Sequence, residues 1–129
     1  MRLLLDTHLL IWALSDPSRL SSGTRDLLEN TGNDIFFSAA SIWEIAIKAG
    51  LGRVSFAHRP GDITRAALAT GFEELPIRSD AAEKVEELAL LHRDPFDRLL
   101  IAQALCGPLH LVTADTQLVP YTDLVMLVS

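Results

Sequence analysis

With 129 residues, 49% of them hydrophobic, and a formal charge of −6, the chain is sized for one domain (residues 1–129) with a real core, which excludes a disordered polymer. Its one cysteine, Cys106, excludes an intramolecular disulfide and a cysteine-based zinc site; no apolar run approaches a membrane span, Asp6 and His8 break the leader-like opening, and a cytoplasmic protein is expected. Residues 1–65 carry seven Lys or Arg against seven Asp or Glu, and residues 66–129 four against ten, a balance that argues against a broad basic nucleic-acid surface but not against a nuclease whose clustered carboxylates are neutralised by cations.

In chain order, Leu3-Leu4-Leu5 reads as a strand buried on both faces, followed at its carboxyl end by Asp6 and then by the apolar helix pattern that begins near His8. Asp6 or Thr7 is suited to cap that helix. Asp16-Pro17-Ser18 marks a turn, residues 24–30 a short helix, and Ile35-Phe36-Phe37 a second buried strand. A helix capped by Ser38 or Ser41 follows and ends at Gly50; its polar stripe of Ser41, Glu44 and Lys48 is unexpected on so apolar a helix. Glu44 fits either a capping box with Ser41 or an ion pair with Lys48 one turn on.

Residues 51–61, rich in turn formers and basic groups, read as a loop or lid. Residues 62–70 form a helix with Ile63, Ala66, Ala67 and Leu68 facing inward and Gly71 ending it, and residues 72–77 are extended. Ser79-Asp80 should cap a helix over residues 81–91 whose acidic run, Glu83, Glu86 and Glu87, is a solvated face. Asp94 and Pro95 fit the N-cap and first position of the next helix, which puts Asp97 in its first turn. Leu109 to Val112 form another buried strand, closing on Thr113 and Asp115, and residues 124–128 a last one. Strands interleaved with helices predict a three-layer α/β/α sandwich around a mainly parallel sheet.

In such a sheet, acids at strand carboxyl ends (Asp6, Asp115) and in the first turn or two of helices (Glu44, Asp97) share one edge and can converge. Crowded carboxylates repel unless a cation compensates. Hard oxygen ligands call for Mg²⁺, or Mn²⁺ in its place, and such an ion can activate water against a phosphodiester. His8 and His92 are read as hydrogen-bonded structural histidines.

Leu5-Asp6-Thr7-His8, Ser41-Ile42-Trp43-Glu44, the run from His92-Arg93-Asp94-Pro95-Phe96-Asp97 to Gln103-Ala104, and Thr113-Ala114-Asp115 resemble, in order, the motifs of PIN-domain ribonucleases of the VapC toxin type. The resemblance implies a PIN fold and Mg²⁺-dependent endonucleolytic cleavage of RNA. It assigns Asp6, Glu44, Asp97 and Asp115 to the catalytic acids, with Asp6, Asp97 and Asp115 as metal ligands and Thr113 assisting by hydrogen bonding. A homodimer and a cognate antitoxin that fills the active-site groove are implied as well. Gln117 stands where many relatives have a further acid, which leaves one metal or two open. Asp94 is a supporting carboxylate or only a cap, and Lys48, Arg53 and Arg59 are candidates for the RNA backbone. Three rivals fit less well. A haloacid-dehalogenase-type phosphatase would want an acid at position 8, a phospho-receiver domain an acid after the second strand and a late lysine, and an inactive PIN-like interaction domain would not need all four acids.

Overall fold

The alternation of Leu3, Leu4 and Leu5 sorts the core into two halves. In the computed structural model, which describes residues 1–52 and 58–129, these residues lie in β1 (Arg2–Leu5), the central strand of a five-stranded sheet. β2 (Asp34–Ser38) and then β3 (Glu73–Leu75) lie on one side of it, β4 (His110–Thr113) and β5 (Val125–Leu127) on the other, and every pairing is parallel. Successive strand residues point to opposite faces. Leu3, Leu5, Ile35, Phe37 and Val112 therefore pack with Leu9 and Leu10 of α1 (Thr7–Ser15), Ile45 of α3 (Ala39–Gly50) and Ile63 of α4 (Pro60–Thr70). Leu4, Phe36 and Leu111 face the other way, onto Leu100, Ile101 and Ala104 of α6 (Pro95–Cys106). The expected α/β/α sandwich is the observed architecture.

Among the described residues the remaining α-helices are α2 (Ser22–Glu29), capped by Ser21, and α5 (Ser79–Lys84). Gly71 closes α4 with a φ of 98°, a left-handed conformation that a side chain disfavours.

Several expectations fail for non-local reasons. Ser38 rather than Ser41 caps α3, its hydroxyl accepting from the Ala40 amide, so the capping box with Glu44 does not form. α4 begins at Pro60, and Leu68 is exposed instead of inward. The helix expected over residues 81–91 stops at Lys84, passes through a 3₁₀ turn at Val85–Glu87 and leaves residues 88–94 as a loop. Arg98 of α6 explains the early end: its guanidinium donates to the carbonyls of Val85 (3.1 Å), Leu88 (3.4 Å) and Ala89 (2.9 Å), groups that a continuing helix would pair with its own amides. Of the expected lid, residues 53–57 and with them Arg53 lie outside the described residues.

Candidate functional site

Strand order β3-β2-β1-β4-β5 means that the chain winds outward from β1 in one direction and returns to β4 on its other side. Ligands of open α/β sheets bind where the order reverses, at the carboxyl ends of those strands. Asp6 directly follows β1, and Asp115 follows the last residue of β4 by two. α3 and α6 start from the same edge and carry Glu44, in the second turn of α3, and Asp97, in the first turn of α6, to it.

Asp6 is buried and does two jobs. Its Oδ1 accepts from the Leu9 amide at 2.8 Å, capping α1, while its Oδ2 accepts from Thr113 Oγ1 at 2.5 Å. Thr113 Oγ1 also accepts from the Asp115 amide at 3.0 Å, so one hydroxyl ties the two strand-end acids together. Burial pushes the Asp6 carboxyl up to about 6; the bonds from Thr113 and Leu9 oppose the rise, and the charges of Glu44 and Asp115 add to it.

Glu44 is buried as well. Thr7 Oγ1 donates to its Oε1 at 2.6 Å, and Ser41 Oγ lies 2.9 Å from the same hydroxyl. The other Glu44 oxygen is ion-paired with Lys48, whose Nζ also lies 3.5 Å from Asp94 Oδ2 and 5.7 Å from the centre of the Phe96 ring. The polar stripe of α3 thus has its explanation. Burial works against the Lys48 charge, yet the hydrogen bond and the charge of Glu44, with Asp94, hold the ammonium above its ordinary pKa.

Asp94 caps α6, its Oδ1 accepting from the Phe96 amide at 2.9 Å and the Asp97 amide at 3.4 Å. Asp97, one turn in, is raised to about 6 by burial first and then by the neighbouring charges of Asp94, Glu44 and Asp6, against which a hydrogen bond from His92 acts. His92 Nε2 lies 2.9 Å from Asp97 Oδ2 and 3.6 Å from Asp115 Oδ2. One ligand atom from each of His92, Asp97 and Asp115 falls within 4.8 Å of the other two. Tyr121 pins the histidine there, its Oη accepting from the amides of His92 (2.9 Å) and Leu91 (3.2 Å) and from Arg98 Nη1 (3.2 Å).

The structure therefore brings Asp6, Glu44, Asp97 and Asp115 to one edge, with Thr113 and Asp94 in direct support. Arg59 lies apart on the surface at the start of α4, and Lys48 turns inward to the acids. His92 is hydrogen-bonded, as read from the sequence, but its partner is a site acid. Its position five residues before Asp97 was the available signal. As a donor set, the oxygens of four carboxylates, two of them buried, beside the Lys48 ammonium and the His92 imidazole suit a hard divalent cation: among the described residues the acids outnumber the cations paired with them.

The family model that describes the PIN domain matches residues 3–122. Among solved structures, the fold is similar to the crystal structure of VapBC2 from Rickettsia felis bound to a DNA fragment from their promoter. The TM-score is 0.71 and the identity 16%, over 98% of this chain and 97% of that one, a likeness of fold. Comparison with curated proteins gave no match. No helix among the described residues is long and apolar enough to cross a membrane.

Proposed function

Because the chain belongs to the PIN-domain family, we propose that it is a Mg²⁺-dependent endoribonuclease, the VapC-type toxin of a toxin–antitoxin pair. The observation that carries this reading is the meeting of four acids from four separate elements at the switch point of the sheet, Asp6 and Glu44 among them being buried. An interaction domain without catalysis has no use for buried carboxylates, which cost stability when they are left charged. The similarity to VapBC2 supports an antitoxin partner for this chain too, and a homodimer is part of the same reading.

Asp6, Asp97 and Asp115 would hold the ion. A divalent cation bound there supplies a Lewis acid for a phosphate oxygen and a water of lowered pKa. The chain does the positioning. Thr113 fixes the Asp6 carboxylate and the Asp115 backbone together, Asp94 holds the first turn of α6 so that Asp97 faces the crevice, and Thr7 with Lys48 fixes both Glu44 oxygens so that Glu44 orients the water. Arg59, exposed at the start of α4, and Arg53 are assigned by this reading to the RNA backbone. Lys48 is placed for the same phosphates only by leaving its pairs with Glu44 and Asp94.

Purified free of any partner, the protein should cut total RNA into discrete fragments with Mg²⁺ or Mn²⁺ and stop in EDTA. Because a water attacks and not the 2′-hydroxyl, a 2′-O-methyl group at the cleaved nucleotide should be tolerated. Cleavage that persists in EDTA, or that the methyl group abolishes, would refute the mechanism.

Thr113→Val keeps the shape of the side chain and removes the hydroxyl that bonds to Asp6. Loss of such a supporting hydrogen bond costs about 10- to 100-fold in metal affinity, so calorimetric titration with Mn²⁺ should show a drop of that size. An unchanged affinity would remove Thr113 from the site.

A further inference from the structure

We propose that a groove along the outer face of α1 is a nucleobase subsite, taking the base of a nucleotide next to the scissile phosphate of single-stranded RNA. This rests on the RNA-cleaving reading of the acid site and extends it to the recognition of a neighbouring nucleotide. The groove has a volume of about 370 Å³ and is lined by His8, Ile11, Trp12, Asp16, Arg19 and His58 among others, which places it within the usual range for small-ligand sites.

Its chemistry is a stacking platform with cations. The Trp12 indole is half-buried, seated against the core, with its remaining surface in the groove. The Arg19 guanidinium lies over that ring at 4.7 Å from its centre, and the His8 ring sits 5.9 Å away at a tilt of 50°. Arg19 and His8 are exposed, and exposed Arg59 directly follows His58. Single-stranded nucleic acid is held by this combination, aromatic faces for the bases and arginine for stacking or for phosphate. Asp16 also lines the groove, but its Oδ1 accepts from Ser18 Oγ at 2.6 Å. In a chain of net charge −6, such a grouping is a specific place for a polyanion to touch.

Its position fits the same ligand. Consecutive residues divide the labour: Asp6 and Thr7 are buried at the acids, whereas His8 faces outward into the groove. Trp12 is six residues beyond Asp6, about 9 Å along the helix axis, so a chain held by its phosphate at the acids has its neighbouring nucleotide beside the indole. Arg19, long and exposed, swings from the ring face to that nucleotide's phosphate as the base stacks.

The test uses the Glu44→Gln protein, which keeps the three proposed ligands but loses the carboxylate that orients the water, with Mg²⁺ and a randomised pool of 20-nucleotide single-stranded RNA. In a Trp43→Phe background Trp12 is the only indole, since the chain has two tryptophans, and its emission should be quenched on binding. An abasic strand of the same length should bind without that quench. Trp12→Leu and Arg19→Ala should each weaken binding by about tenfold while Mn²⁺ affinity in the protein with Glu44 intact stays as in wild type. Arg19→Ala, at an exposed position, carries the affinity test if Trp12→Leu does not fold. RNA binding with unmoved emission and both affinities within twofold of the parent would overturn the subsite and leave the nuclease reading standing. Equal quenching by the abasic strand would overturn the nucleobase assignment. A wild-type protein that neither binds nor cuts RNA would overturn both.

Discussion

Asp6→Asn and Asp97→Asn should each slow RNA cleavage by about a thousandfold while leaving the protein folded. The magnitude follows from what a bound divalent ion contributes, several kcal/mol of charge stabilisation in the transition state, at 1.36 kcal/mol per factor of ten. Asparagine is nearly isosteric and caps a helix as well as aspartate does, so the bond from the Leu9 amide to residue 6 survives the change. The substitution removes charge from a crowded, buried cluster and relieves repulsion. The metal-free variants should therefore melt no lower than wild type at pH 7.5, yet the rise in Tm that Mn²⁺ gives wild type should disappear. Melting curves with and without Mn²⁺, beside initial cleavage rates, check both halves. Variants that cut RNA at the wild-type rate, or that keep the full response to Mn²⁺, would show that these carboxylates are not the ligands.

What the sequence displayed and what it hid divide along the range of the interactions. The apolar runs at Leu3 to Leu5 and at Leu109 to Val112 marked buried strands because burial on both faces leaves no polar alternation. Asp94 with Pro95 marked the start of α6 because capping is decided within one turn. Convergence of the four acids followed from topology once the strands were placed. The hidden features depend on partners far along the chain. Arg98 ends α5 by taking carbonyls 9 to 13 residues upstream, and no local signal in residues 81–91 announces that. The pair of Lys48 with Glu44 was legible from its one-turn spacing, whereas its second partner, Asp94, lies 46 residues later and no local signal announces it. His92 needed Tyr121, 29 residues away, to hold its loop against the acids. The helix cap read for Asp6 is observed on one carboxylate oxygen and a bond from Thr113 on the other, so capping does not compete with the proposed role as a site acid.

The metal-free protein should lose stability as pH rises from 4 to 7, opposite to the usual behaviour of paired surface acids. Asp6 and Asp97 are each raised from 3.8 to about 6. Below pH 4 these carboxyls are protonated in the folded and unfolded chains alike, and the fold suffers no penalty from them. Between about pH 4 and 6 the unfolded chain releases protons that the folded one retains, so stability falls with pH; above about 6 both states are ionised and the loss is complete. Ionising one carboxyl held this far above its ordinary value costs the fold about 3 kcal/mol. Because the two carboxyls act on each other, the pair is worth several kcal/mol and not the sum of two independent contributions. Asp6→Asn isolates the effect from every other titrating group: urea unfolding at pH 4.5 and 7.5 should show a steeper decline in wild type than in the variant. A bound cation favours the ionised carboxylates, so Mn²⁺ should stabilise wild type strongly at pH 7.5 and weakly at pH 4.5, where protons compete for the same oxygens. Equal pH slopes in the two proteins would mean that Asp6 is not held at a cost in the folded state. The buried negative charge at the switch point would then have to be balanced within the chain, by Lys48 among others, leaving nothing for a metal to do there.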